Sequence, residues 1–275
     1  MAYVYPGEAA LDYYPCRYGK SKILFRGPRR DLERPFVAVL GGTETYGKFL
    51  PLPYPALVEE ATGLHMVNLG CVNAGLDVYL NEPVIPEILG RARVTVLQIM
   101  GAQNLSNRYY AVHPRRNDRF LRASSLLRTI YREVDFTEFN FTRHMLGALQ
   151  EVSPAKFEVV VEELKAAWVA RMSLLLDQVR GKSVLLWMGP KPPAPARQPS
   201  DLGQDPLFID AGMLTAIRSR VSTYVEVVPS ATARAAGRDG MAFSEIDAGA
   251  ASGLPGPAVH REVAAALGQA LVDLF

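Results

Sequence analysis

The chain has 275 residues, a hydrophobic fraction of 49% and a charged fraction of 21%, a composition that describes a folded globular protein and excludes extensive disorder. Its net charge of +2 is too small to argue for nucleic acid as a partner, and two cysteines are too few for a disulfide scaffold or a cysteine zinc site. No stretch reaches the roughly 18 apolar residues of a membrane span, and no basic leader precedes an apolar run. The expected location is therefore cytoplasmic, with Cys16 and Cys71 as reduced, structural thiols and with neither a metal nor a cofactor.

Residues 1–34 are rich in Tyr, Pro and Arg without a sustained period, which predicts an extended arm on a single domain covering 35–275. The "YGKSK" within it is not a phosphate loop, because Tyr14 stands where such a loop needs a glycine. "FVAVL", from Phe36, is a short apolar run of the kind found in a strand covered on both faces. It runs into Gly41-Gly42 and then Thr43. A helix is expected over Pro55 to Thr62, closed by Gly63, followed by strands at "LHMVNLG" and "ARVTVLQIMG". Between Asp118 and Gly181 the period becomes helical. "RFLRASSLLRTIYREV" and "FTEFNFTRHMLGALQEV" read as two helices, and Ser153-Pro154 opens a third. The wide apolar face of that third helix must be covered, by the sheet or by a partner copy.

Strands follow at "SVLLWMG" and "TYVEVV", separated by a Pro-rich loop and a helix from about Ala211 to Arg220. A Gly/Ala-rich stretch over 230–256 and a final helix, "AVHREVAAALGQALVDLF", close the chain. This alternation predicts an α/β fold: a doubly wound, flavodoxin-like parallel sheet with helices on both faces and a long helical insertion at about 118–181. Ligands of such sheets lie beyond the carboxyl ends of the strands. That rule points to Gly41–Tyr46, Gly70–Gly75, Gly101–Asn107 and the loops before His260.

Four segments in this order, "VLGGTETYG", "VNLGCVNAG", "LQIMGAQN" and "PGPAVHREVAAALGQAL", resemble the sequence blocks of the SGNH or GDSL hydrolases, in a divergent bacterial branch. The resemblance implies an SGNH-type fold and a site in which Thr43 replaces the nucleophilic serine and His260 supplies the base. It implies an oxyanion hole built from the backbone near Gly42, Gly70 and Gly75, from Asn73, and from the Gln103 or Asn104 amide. Pro257 stands where the family has its orienting aspartate, a role left open to Asp239, Glu245 or Asp247. The activity implied is that of an esterase or O-acyltransferase. The departures also allow a degenerate member that binds an anionic ligand or serves as a scaffold.

Each residue has a plainer reading. Thr43 can cap the helix that follows, His260 can bond a neighbouring carbonyl, and Asn104 can be a turn residue. Arginines crowd the stretch from Arg108 to Arg143 among Tyr109, Tyr110, Phe120 and Tyr131. Arg108, Arg115 and Arg116 directly follow the third-strand loop. They read either as a clamp for an anionic saccharide or lipid head group, or as a solvated face paired with Asp118, Glu133 and Asp135. A homo-oligomer formed through the helical segment is the remaining partner to consider.

Overall fold

The computed structural model describes residues 11–196, 202–203 and 205–275. Part of the expected arm (residues 1–10) and part of the Pro-rich loop lie outside the described residues. Strands β1 (Val37–Leu40), β2 (Met66–Asn68), β3 (Val94–Gln98), β6 (Lys182–Met188) and β7 (Thr223–Val227) form one sheet in the order β2-β1-β3-β6-β7. Every pairing in it is parallel. The remaining strands, β4 (Tyr110–His113) and β5 (Arg116–Ala123), make a separate antiparallel hairpin.

Alternation along the strands divides the interior into two cores. Val37 and Val39 of β1, Val94 and Val96 of β3, and Val184 and Leu186 of β6 face one side. There they meet Tyr54 and Val58 of α2 (Tyr54–Thr62), Ala233 of α9 (Ala231–Ala236), and Val259, Val263 and Leu267 of α11 (Pro257–Val272). Ala38, Leu40, Leu97, Leu185 and Trp187 face the other side, a core that includes residues of α3 (Leu76–Leu80), α4 (Ile85–Arg91), α7 (Pro154–Leu176) and α8 (Ala211–Arg218). Side chains that alternate at period two and are buried on both sides explain why the strands read as unbroken apolar runs.

The longest helix, α7, starts as its sequence predicts: the Ser153 hydroxyl accepts from the Lys156 amide and Pro154 occupies the first turn. Its stripe of Phe157, Val160, Val161, Leu164, Trp168, Met172 and Leu175 is fully buried within the chain. The Trp168 indole N–H donates to the Met100 carbonyl at 2.8 Å, pinning the segment after β3 against this helix.

The segment between Asp118 and Val152 differs from its helical reading. Arg116–Ala123 is a strand, only Ser125–Ile130 (α5) and a 3-10 turn at Phe136–Glu138 are helical between it and α6, and α6 begins at Thr142 and ends at Val152. The reason is visible in β5, where the buried positions are Asn117, Phe120 and Ala123, a spacing of three. Register shifts on β4 between Ala111 and His113 break the strict two-residue alternation of the hairpin and leave a period that imitates a helix.

Residues 11–34 carry no strand beyond an isolated Cys16–Phe25 bridge, yet Tyr18, Ile23 and Phe25 join the core. Buried Arg26 fastens this segment by donating to the carbonyls of Tyr46, Gly47, Leu50 and Pro51. Four acceptors satisfy a charge that burial would otherwise make costly.

Candidate functional site

A cleft of about 780 Å³ opens at the carboxyl ends of the parallel strands. Gly42 and Thr43 after β1, Ile99 to Gly101 after β3, Met188 at the end of β6 and Gly189 after it, and Pro229 after β7 line it. The segment from Ala250 to Gly256 and residues of α9 supply another wall, so the Gly/Ala-rich stretch is part of the site. This is where the chain ends of a parallel sheet leave a crevice.

Gly41-Gly42 is the pivot between β1 and the one-turn α1 (Thr43–Tyr46). Neither glycine has a left-handed φ; the requirement is closeness, since a Cβ at Gly41 would overlap Thr45 Oγ1 and the Gln98 side chain. Gln98, the last residue of β3, fills that space. Its Oε1 accepts from the Gly42 amide at 2.8 Å and from the Thr45 hydroxyl at 2.7 Å, and its Nε2 donates to Glu44 at 3.0 Å.

Thr43 does not cap α1; Gly42 holds that position without a side-chain cap. The Thr43 hydroxyl instead accepts from the Asn73 amide N–H at 2.9 Å and donates to Asn73 Oδ1 at 3.3 Å. Asn73, held at a left-handed φ of 57°, passes its own Nδ2 on to Asp118 at 2.9 Å. Thr43 and Asn73 both line the cleft.

His260 lies elsewhere. It is fully buried in α11, its Nδ1 accepts the Tyr54 amide N–H at 3.0 Å, and its Nε2 has no partner among the described residues. Accepting at Nδ1 leaves the neutral ring's proton on Nε2. Burial, with a smaller contribution from Arg26, pulls its pKa down to about 3. Among the described residues no hydrogen bond joins His260 to Thr43, and His260 is not among the residues lining the cleft. No hydrogen bond among the described residues joins it to Asp239, Glu245 or Asp247 either; Asp247 accepts from the Ser244 hydroxyl.

The three glycine amides are also committed. Gly42 N–H goes to Gln98, Gly70 N–H to Asn68 Oδ1 at 2.8 Å, and Gly75 N–H to Asn117 Oδ1 at 2.9 Å. Gln103 and Asn104 do reach the cleft, but the Gln103 Nε2 donates to Asp205 at 3.0 Å and Asn104 Oδ1 accepts from the Thr142 hydroxyl at 2.7 Å. The structure thus brings Thr43, Asn73, Gln103 and Asn104 together around one cavity and leaves out His260.

Of the arginines, Arg108 is bound to Glu163 at 2.7 Å and its guanidinium lies 5.8 Å from the Tyr109 ring centroid. Arg108 is ion-paired, but with Glu163 and not with the expected acids: Asp118 accepts from Asn73, Glu133 pairs with Lys156 and Asp135 accepts from Thr137. Arg115 and Arg116 border a different depression, at the β4–β5 hairpin.

Several features of the cleft were not expected from sequence. Glu44 lines it, and burial raises its carboxyl pKa, partly offset by the Gln98 hydrogen bond. Lys48 lies on the rim, 4.6 Å from the Phe49 ring centroid, with no ion pair among the described residues. Arg143, paired with Asp205 at 3.2 Å, and Arg234 add further positive charge. Gln103 Oε1 is buried without a partner among the described residues. The one signal available in sequence was polarity at strand ends: a glutamate next to the Gly-Gly-Thr turn and a glutamine ending a mostly apolar strand.

No group of His, Cys, Asp and Glu among the described residues could hold a metal ion, and no described helix is long and apolar enough to cross a membrane.

The fold and the cavity define an α/β protein with a polar cleft at the carboxyl edge of a parallel sheet. The chain belongs to the family described as Domain of unknown function (DUF6473), which matches residues 1–275. No curated protein and no solved structure matches it.

Proposed function

We propose that this chain is an SGNH-like, doubly wound α/β protein that binds a hydroxyl-rich small molecule carrying an anionic group, and that it does so without Thr–His ester hydrolysis. The strand order β2-β1-β3-β6-β7, which is a flavodoxin-like order in consecutive parallel strands, supports the frame. The excursion between β3 and β6 stands where that reading needs an insertion.

One observation carries the conclusion: the imidazole that a triad needs is sealed in the core with Nδ1 already taken. A general base has to come within hydrogen-bond reach, about 3 Å, of the proton it removes. The committed amides of Gly42, Gly70 and Gly75 point the same way, because an oxyanion hole works through donors left unsatisfied until charge develops. The cleft meanwhile keeps groups suited to a ligand. Lys48 offers a cation with no ion pair among the described residues, and Gln103 Oε1 is an acceptor whose desolvation costs about 1–3 kcal/mol until a donor arrives.

Thermal-shift titration with uronic acids and sugar phosphates, run beside a short-chain aryl ester assay, tests the reading. The expected result is stabilisation by at least one of these ligands, weakened in Lys48→Gln, with no ester turnover above buffer. Turnover lost in Thr43→Ala would overturn it.

A second reading, acyl transfer at Thr43, is favoured by one feature: Glu44, the adjacent residue, presents a second carboxyl to the same cleft, and burial raises its pKa. It predicts ester turnover lost in both Thr43→Ala and Glu44→Gln and retained in His260→Asn.

A further inference from the structure

The hairpin presents a second cavity, of about 600 Å³, built from residues outside the cleft. Lys22 from the N-terminal segment and Arg115, Arg116 and Arg119 from the hairpin stand around it, all exposed. Among the described residues none of the four pairs with a carboxylate. Arg108, in the same arginine-rich stretch, does pair, with Glu163. Asp118, the acid whose charge reaches Arg116 and Arg119, makes no ion pair with them among the described residues: its Oδ2 accepts from Asn73 at 2.9 Å and its Oδ1 is buried without a partner there. Burial raises the Asp118 pKa, against smaller lowering contributions from the Asn73 hydrogen bond and from Arg116 and Arg119.

The lining between these cations is of another kind. Cys71 is buried there, and burial pushes its thiol up to about 11, with a lesser contribution from Asp118. It behaves as a small apolar group, not a nucleophile. Ile23, Val72 and the half-buried Tyr46 ring complete an apolar lining. Three guanidinium groups and an ammonium rim this lining with no ion pair among the described residues; Arg119 also lies 5.6 Å from the Phe141 ring centroid. Forked donors of this type match the oxygens of phosphate and sulfate.

We infer that the hairpin depression is a binding site for a small organic oxyanion, a phosphate or sulfate ester whose apolar part rests between Tyr46 and Cys71. The inference does not depend on what occupies the cleft, since the two cavities share no lining residue.

The test is calorimetric titration of the full chain with phenyl phosphate, phenyl sulfate and inorganic phosphate at roughly physiological ionic strength, where weak surface attraction is screened. Saturable binding of phenyl phosphate or phenyl sulfate is expected, and which of the two binds tighter identifies the ester. Affinity should fall at least about tenfold in Arg116→Gln/Arg119→Gln, by a smaller factor in Arg115→Gln at the exposed turn, and by less than about twofold in Arg108→Gln. Urea midpoints for the same variants separate lost binding from lost folding, and the single turn variant serves if the double variant is unstable. Wild-type affinity in both hairpin variants, or no saturable binding by the wild type, overturns the inference. Binding lost in Lys48→Gln but kept in the hairpin variants moves the anion to the cleft and overturns it too. Inorganic phosphate binding as tightly as phenyl phosphate overturns the role given to the apolar lining.

Discussion

Two hydrogen-bond chains start from the same turn after β1 and end in opposite environments. From Thr45 one runs inward, through the Tyr54 hydroxyl at 2.8 Å, and the Tyr54 amide N–H closes on His260. Thr45, Tyr54 and His260 are all fully buried. From Thr43 the other runs outward through exposed Asn73 to Asp118. Hydroxyls two residues apart on one helical turn therefore do different work. The inner one satisfies buried polar groups that would otherwise be costly, whereas the outer one lines a cavity open to ligands.

The largest expected effect on this contrast comes from pH. His260 has its folded pKa depressed from 6.5 to about 3, so its contribution to stability is complete above pH 6.5 and is lost as pH falls toward 3. With one pKa unit worth 1.36 kcal/mol, acidification from about pH 7 to about pH 4 removes about 3 kcal/mol through this residue alone. Urea unfolding at several pH values should show this loss. His260→Asn, which keeps an acceptor for the Tyr54 amide but does not titrate, should flatten that part of the profile.

Breaking the inner chain in its middle comes next. Thr45→Val strands the Tyr54 hydroxyl and one bond to Gln98, and should cost about 2 kcal/mol in urea unfolding. Glu44→Gln acts in the reverse direction. A carboxyl whose folded pKa is raised destabilises increasingly as pH rises through that pKa, so the amide variant should melt higher than the wild type above the ordinary carboxylate range, with the two converging in acid. A gain in stability with a loss of ligand response would mark Glu44 as a group kept for function. Smallest is Thr43→Ala, whose exposed hydroxyl contacts should contribute under about 1 kcal/mol by the same measurement. A cost as large as that of Thr45→Val would erase the distinction between the two chains.

The hairpin shows where reading from sequence reaches its limit. Asn117, Phe120 and Ala123 are buried at intervals of three because the pairing with β4 shifts register, and such a shift belongs to two strands together. The same stretch hides Asn117, whose Oδ1 accepts from the amides of both Gly75 and Val78. By contrast the start of α7 at Ser153-Pro154 was legible because its cap is made within four residues. The αL glycine ending α2 at Gly63 was legible for the same reason, with φ of 73° and its amide donating to Glu59.

What the sequence determined by itself was whatever depends on local spacing. Apolar runs between turn residues specified the parallel strands, and their order along the chain brought Thr43, Asn73, Gln103 and Asn104 to one edge of the sheet. Only the tertiary structure decided what those groups, and His260, are bonded to. A histidine one turn into a helix looks the same in sequence whether it faces a cavity or the amide of Tyr54. That difference arises from how α11 packs against α2, across 206 positions of chain. Hydrogen-bond partners at such separations follow from packing, and they settle whether a polar group is free to meet a ligand.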